Sequence, residues 1–186
     1  KELVENSLDA GASRVSVEIT QGGLGLIRVS DDGCGIEPDE VLTAFERHAT
    51  SKLADDADLA RVLTLGFRGE ALPSIAAVAE VEVVSRPPHA EAAAWVRLVP
   101  EAPPEVSAKG APPGTQVSVR RLFERLPARR KFLRTPASEA NAVAAAVTHY
   151  ALAYPEVRFR LAVDGRQTFA TPGSGELRDA VAAVYG

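Results

Sequence analysis

Lys1-Glu2-Leu3-Val4-Glu5-Asn6-Ser7-Leu8-Asp9-Ala10-Gly11 opens the chain with a pattern from which the rest can be read. As a helix, with about 100° per residue, it brings Glu2, Glu5, Asn6 and Asp9 onto one stripe and sets Leu3, Val4 and Leu8 on the opposite side. Gly11 fits the helix-ending position, where a left-handed backbone costs glycine little. A carboxylate and a carboxamide one turn apart on one face can hold a water and a divalent cation side by side. An acidic face that is simply solvated has the same spacing, so the segments downstream must decide between the two.

Val15, Val17 and Ile19 alternate with Arg14, Ser16, Glu18 and Thr20, which predicts a strand with one buried face. Gly22-Gly23 makes a turn, and residues 26–30 read as the returning strand, running straight into Asp31-Asp32-Gly33-Cys34-Gly35-Ile36. Pro38 suits the first turn of a new helix carrying Val41, Leu42 and Phe45. Residues 47–69 read as a long, mobile, largely irregular segment with one short helix. A helix over 70–77, strands over 78–85 and 92–99, a Pro/Ala-rich loop over 100–114 and a strand over 115–120 follow. Ser138 can cap a long Ala-rich helix that stops before Pro155, and Asp164-Gly165 between strands 157–163 and 166–170 signals a hairpin. These clusters of helices and strands predict an α+β two-layer sandwich, a mixed and largely antiparallel sheet covered by helices. One domain is expected over residues 1–175, with 176–186 a helical tail leading towards a following domain.

The chain has 186 residues, enough for one substantial core, and its 46% hydrophobic and 25% charged content is ordinary for a globular domain. It contains no Met and opens inside a helical pattern, so a piece of a longer polypeptide is expected. No apolar run approaches a membrane span, and no membrane partner is expected. The single cysteine, Cys34, excludes an internal disulfide and is compatible with a reducing cytoplasm. One cysteine and three scattered histidines argue against a Cys/His metal site. The net charge of −4 hides an asymmetry: residues 120–134 hold seven basic side chains, Arg120, Arg121, Arg125, Arg129, Arg130, Lys131 and Arg134, against Glu124 alone. Such a segment can neutralise DNA phosphates, with Arg129, Arg130 and Lys131 as the candidate contacts, or it can pair with acids on its own body. Few aromatic residues interleave it, which argues against base stacking.

Asp31 sits where a strand gives way to a glycine-spaced turn, and Gly33 and Gly35 there would let a ligand approach the backbone without meeting a Cβ. A carboxylate at the bottom of such a pocket only accepts, so it selects a donor such as the exocyclic amine of adenine and repels the carbonyl oxygen of guanine. Taken alone, the same residues also fit an ordinary Asp-Gly turn. Gly66-Phe67-Arg68-Gly69-Glu70-Ala71-Leu72 places a small loop before a helix, whose free N–H groups attract phosphate. A solvated Arg at a plain helix entry would look alike. No G-x-x-x-x-G-K-S/T occurs, so this is not a P-loop protein; Lys52, in Thr50-Ser51-Lys52, could supply a cation instead.

In their order and spacing, E-L-V-E-N-S-L-D-A-G, D-D-G-C-G-I, H-A-T-S-K, G-F-R-G-E-A-L, Gly114-Thr115 and L-P-A-R-R-K-F-L-R closely resemble the N-terminal ATPase domain of the MutL family of DNA mismatch repair proteins. That family shares the Bergerat ATP-binding fold with gyrase, the large heat-shock chaperones and histidine kinases. The resemblance is strong over residues 1–134 and weaker but consistent to the end. It implies ATP and Mg²⁺ as ligands, with Glu2 the general base, Asn6 the Mg²⁺ ligand and Asp31, helped by Thr115 and a water, the adenine acceptor. Gly33 and Gly35 would line the nucleotide, while Thr50, Ser51, Lys52, Arg68, Gly69, Glu70, Ala71 and Leu72 would form the lid and phosphate loop. It implies a Mg-dependent ATPase switch that closes as a homodimer on ATP, works with DNA, a MutS-type mismatch-recognition protein and a downstream repair nuclease or helicase, and resides in the cytoplasm. In the family, a preceding segment helps dimerisation and a following domain supplies a lysine to the γ-phosphate; both lie outside this chain, so weak hydrolysis by the chain alone is expected. Asp32 stands where the family often has Asn. The competing readings are a nucleotide-gated interaction module without useful hydrolysis and another ATPase of the superfamily, such as a type II topoisomerase subunit or a histidine kinase. The last lacks a phosphoacceptor helix here.

Overall fold

The computed structural model describes residues 1–46 and 71–186. Its strands are β1 (Arg14–Thr20), β2 (Leu26–Asp31), β3 (Glu80–Arg86), β4 (Ala93–Leu98), β5 (Glu105–Lys109), β6 (Gly114–Arg120), β7 (Arg158–Val163) and β8 (Arg166–Ala170). Its α-helices are α1 (Glu2–Asp9), α2 (Ala71–Ala76), α3 (Pro127–Arg130), α4 (Pro136–Ala153) and α5 (Leu177–Tyr185). The strands form one sheet in the order β5-β4-β3-β6-β2-β1-β7-β8. β1 runs parallel to β7 and every other neighbouring pair is antiparallel, so the sheet is mixed and largely antiparallel.

The alternation in the sequence becomes rows across the sheet. Leu161, Val17, Val29, Val117, Val83 and Val96 are successive cross-strand partners, and all six are buried. Each fully buried Val or Leu of such a row contributes about 1.5–3 kcal/mol. Against this face pack Leu3 and Val4 of α1 and Val147 and Ala151 of α4. The opposite face carries a polar row, Glu18, Arg28, Ser118, Glu82 and Arg97, with an Arg28–Glu18 ion pair of 2.9 Å. One apolar and one polar face make a two-layer α+β sandwich.

Several local expectations are corrected. The segment after Pro38 forms turns and a short 3-10 helix (Thr43–Phe45), not an α-helix. Its bonds mix i→i+3 and i→i+4 closures, as in Phe45 N to Leu42 O and Ala44 N to Glu40 O, while fully buried Val41 pins it to the core. The Pro/Ala-rich loop contains β5, a strand whose five residues are all exposed. It forms by backbone pairing with β4, and although Val106 and Ala108 alternate with Glu105, Ser107 and Lys109, neither face is buried. The cap of α4 is Thr135, whose hydroxyl accepts from Ser138 N at 3.3 Å; Ser138 lies inside the first turn. The helix ends at Ala153, ahead of Pro155. Gly11 follows α1 at φ 70°, and Asp164 and Gly165 turn the β7–β8 hairpin with φ of 49° and 78°. α5 packs on α4 and β8 through buried Ala180. The segment 47–69, expected to be irregular with one short helix, lies outside the described residues.

Candidate functional site

Asp31 is placed by register. Val15 of β1 is its cross-strand partner, and Thr115 of β6 pairs with Ser85 of β3, so a polar group continues the inner, helix-covered side of the sheet beside the valine rows. The Asp31 carboxylate accepts from Ser7 Oγ at 2.7 Å, from Gly33 N at 3.0 Å and from Thr115 N at 3.2 Å. Burial raises its pKa above the ordinary aspartate value, and the three donors pull in the opposite direction. The result is an oriented acceptor in a poorly solvated place, the arrangement that suits a single amine donor.

The surroundings hold that geometry. Ser85, fully buried, has its hydroxyl 2.8 Å from Thr115 Oγ1 and accepts from Ile36 N at 2.8 Å, joining the loop after β2 to the start of β6. Gly114 has φ 116° and lies against the carbonyl of Asp31, where any Cβ would collide with backbone. At Gly33 and Gly35 the chain itself comes close. A Cβ at Gly33 would meet Ala10 at 2.7 Å, and one at Gly35 the backbone of Arg86 at 2.7 Å, so these glycines serve the chain's own close packing. Asp32 points away from Asp31. Burial works to raise its pKa, but bonds from Ser13 Oγ and Arg14 Nε, together with Ser13 N and Arg14 N, outweigh it and bring it down to about 2.

The predicted stripe on α1 divides. Glu2 is exposed and Asn6 half-buried, but Glu5 is buried. Glu5 Oε1 accepts from Tyr150 Oη of α4 at 2.6 Å and lies 3.3 Å from Lys1 Nζ. Helix α4 crosses part of the stripe and supplies the donor that a buried carboxylate needs. Ser7 ties the second half of α1 to Asp31; Glu2 lies about 7.5 Å further along the axis, at the rise of about 1.5 Å per residue. There it borders, with Tyr150, a cavity of ≈ 390 Å³ whose walls are mostly aliphatic. Ser7, Ser85 and Tyr150 were not singled out by sequence reasoning, and Glu5 was read only as part of the acidic stripe. Of the first three, Ser7 alone carried a signal, its place inside the E-L-V-E-N-S-L-D motif.

Ala71 and Leu72 begin α2, with Leu72 packed on the core. Thr50, Ser51, Lys52, Arg68, Gly69 and Glu70 lie outside the described residues. In the basic segment, Arg121 faces Glu80 at 3.6 Å and Glu124 at 3.8 Å, and Arg125 pairs with Glu101 at 2.7 Å. Arg129, Arg130 and Lys131 are exposed at α3 and make no ion pair among the described residues; Arg129 lies 6.0 Å from the Phe123 ring centre. The internal-pairing reading therefore holds for Arg121 and Arg125.

Residues 1–98 match the family described as histidine kinase-, DNA gyrase B- and HSP90-like ATPase, and the chain belongs to that family. Along its whole length it is similar to proteins named DNA mismatch repair protein MutL. It is 51% identical over 186 residues to the one from Desulforudis audaxviator (strain MP104C) and 53% identical over 186 residues to the one from Acidiphilium cryptum (strain JF-5). All of this chain is covered, but it spans about a third of those relatives, 33% and 32% of their lengths. Among solved structures it resembles the Aquifex aeolicus MutL ATPase domain complexed with ADP, with a TM-score of 0.81 and 35% identity over 99% of this chain and 65% of that one.

Proposed function

We propose that this chain is the ATP-binding and hydrolysing switch region of a DNA mismatch repair protein. The observation that carries the reading is the Asp31 carboxylate, set on the inner face of the sheet and oriented by Ser7, Gly33 and Thr115. The adenine amine would donate to Asp31, and the carbonyl oxygen of guanine at the same place would be repelled. The likeness to an ADP-complexed MutL ATPase domain supports the same ligand class.

With adenine at Asp31, the phosphates would run along α1 towards Glu2. The Asn6 carboxamide oxygen would be the Mg²⁺ ligand on this helix. The ion's remaining ligands would come from phosphate oxygens and water. When bound, Mg²⁺ neutralises charge on the phosphates. Glu2, exposed on α1, would orient a water and take its proton as that water bonds to the γ-phosphorus, while the bond from the γ-phosphorus to the β,γ-bridging oxygen breaks and ADP leaves with that oxygen. Thr50, Ser51, Lys52 and the segment from Arg68 to Leu72 would cover the phosphates.

As a switch, the domain would close into a homodimer when ATP favours the closed state, and only by as much as ATP prefers that state. Arg129, Arg130 and Lys131 are the DNA-phosphate contacts in this reading, and a MutS-type protein and a downstream nuclease or helicase are the partners. No helix among the described residues is long and apolar enough to cross a membrane. Titration with ATP and GTP, followed by Mg-dependent phosphate release, tests the reading: ATP preference with turnover supports it, and equal affinity for both purines contradicts it.

A further inference from the structure

We propose that Tyr150 is a positioning residue for hydrolysis, its hydroxyl acting through the Glu5 carboxylate to fix the first turn of α1 and hence the direction of Glu2. The proposal rests on Glu2 being the general base. The first turn of α1 contains Glu2 and buried Glu5. On the side facing α4 it borders the ≈ 390 Å³ cavity, whose walls include Ile75, Leu122, Val143 and Val147, so aliphatic contact there is incomplete. Across that gap the Tyr150–Glu5 bond of 2.6 Å bridges α4 to α1, joining residues 145 apart in sequence. A short bond from a hydroxyl to a buried carboxylate is among the stronger and more directional contacts available to a side chain. Burial and the Glu5 carboxylate both raise the Tyr150 pKa well above that of an ordinary tyrosine, so the hydroxyl stays a donor. Lys1 and Glu2 on α1 and Tyr154 on α4 are the other titratable groups around it. Two part-buried hydrogen bonds thus hold α1, Ser7 to Asp31 beside the adenine acceptor and Glu5 to Tyr150 nearer Glu2.

The test is a double-mutant cycle in the intact polypeptide, reading kcat and ATP Kd for wild type, Tyr150→Phe, Glu5→Ala and the pair, with thermal unfolding to confirm folding. Glu5→Leu replaces Glu5→Ala if the latter does not fold. Tyr150→Phe should lower kcat by about fivefold or more while ATP Kd changes less than about twofold, and it should add almost nothing once Glu5 is gone. An unchanged kcat, a Kd that rises in step with the loss of kcat, or a full Tyr150→Phe effect without Glu5 would overturn the proposal. Glu2→Ala run alongside separates the two claims. If it keeps turnover, the role of Glu2 fails and the proposal with it; if it abolishes turnover while Tyr150→Phe leaves kcat intact, the positioning role alone fails.

Discussion

Ser7 Oγ donates to Asp31 Oδ2 at 2.7 Å, tying the second half of α1 to the end of β2. Ser7 is itself 2% exposed and also reaches Leu3 O at 3.2 Å, so the hydroxyl is locked in place. Ser7→Ala should therefore weaken ATP binding by roughly 1 kcal/mol, about fivefold, with little loss of folded protein. The pH dependence carries a sign. The Asp31 pKa is already raised by burial, and Ser7 is among the groups holding it down. Affinity that needs the carboxylate falls as pH drops through the folded-state pKa, and in Ser7→Ala that fall should begin at higher pH. Binding isotherms between pH 5 and 8 would show it.

Asp32 has a different task. Its pKa is lowered from 3.8 to about 2, so its contribution to stability is present above the unfolded value and lost as pH falls from near 4 through 2. Asp32→Asn would put an amide donor against Ser13 Oγ or Arg14 Nε. After allowance for solvent screening it should cost about 1 kcal/mol at pH 7 and nothing near pH 2. Denaturant unfolding at the two pH values measures the difference, and nucleotide affinity at neutral pH should be unchanged.

Glu2→Ala should lower turnover by roughly 10²–10⁴ while ATP still binds, because a general base acts in the transition state and adds little to ground-state affinity. Loss of binding together with turnover would make Glu2 a structural residue.

Charge reversal of Arg129 and Arg130 to Glu should weaken DNA binding, reduce the slope of log K against log salt by about 2 or more, and leave ATP affinity alone. Reversal of Arg121 and Arg125 should act instead on stability, through the Glu80, Glu124 and Glu101 pairs. Gel-shift titrations across a salt series separate the two sets.

The valine rows were legible because period-2 alternation and burial have the same cause, and the Asp164-Gly165 hairpin because positive φ selects those residues. Strand β5 was not, since its short alternation of Val106 and Ala108 with Glu105, Ser107 and Lys109 lies in a Pro/Ala-rich run and buries neither face. Pairing with β4 alone creates it. Glu5 shared the helical phase of Glu2 and Asn6, and nothing local could tell that a tyrosine 145 residues away would bury it. Ser85 was invisible for the same reason: its partners Thr115 and Ile36 meet it only through the sheet register. Asp31 was legible as the residue ending a strand before glycines, whereas its register with Val15 is set by the sheet.

The most direct measurement is calorimetric titration of ATP and GTP into the wild-type protein and Asp31→Asn. The wild type should bind ATP in preference to GTP, and Asp31→Asn should lose about 1.5–3 kcal/mol of ATP affinity, the range of a hydrogen bond to a charged acceptor, while unfolding at no lower temperature because a buried charge has been removed. Undiminished ATP binding in a folded Asp31→Asn protein would contradict the assignment of this carboxylate to adenine, and with it the placement of the nucleotide along α1.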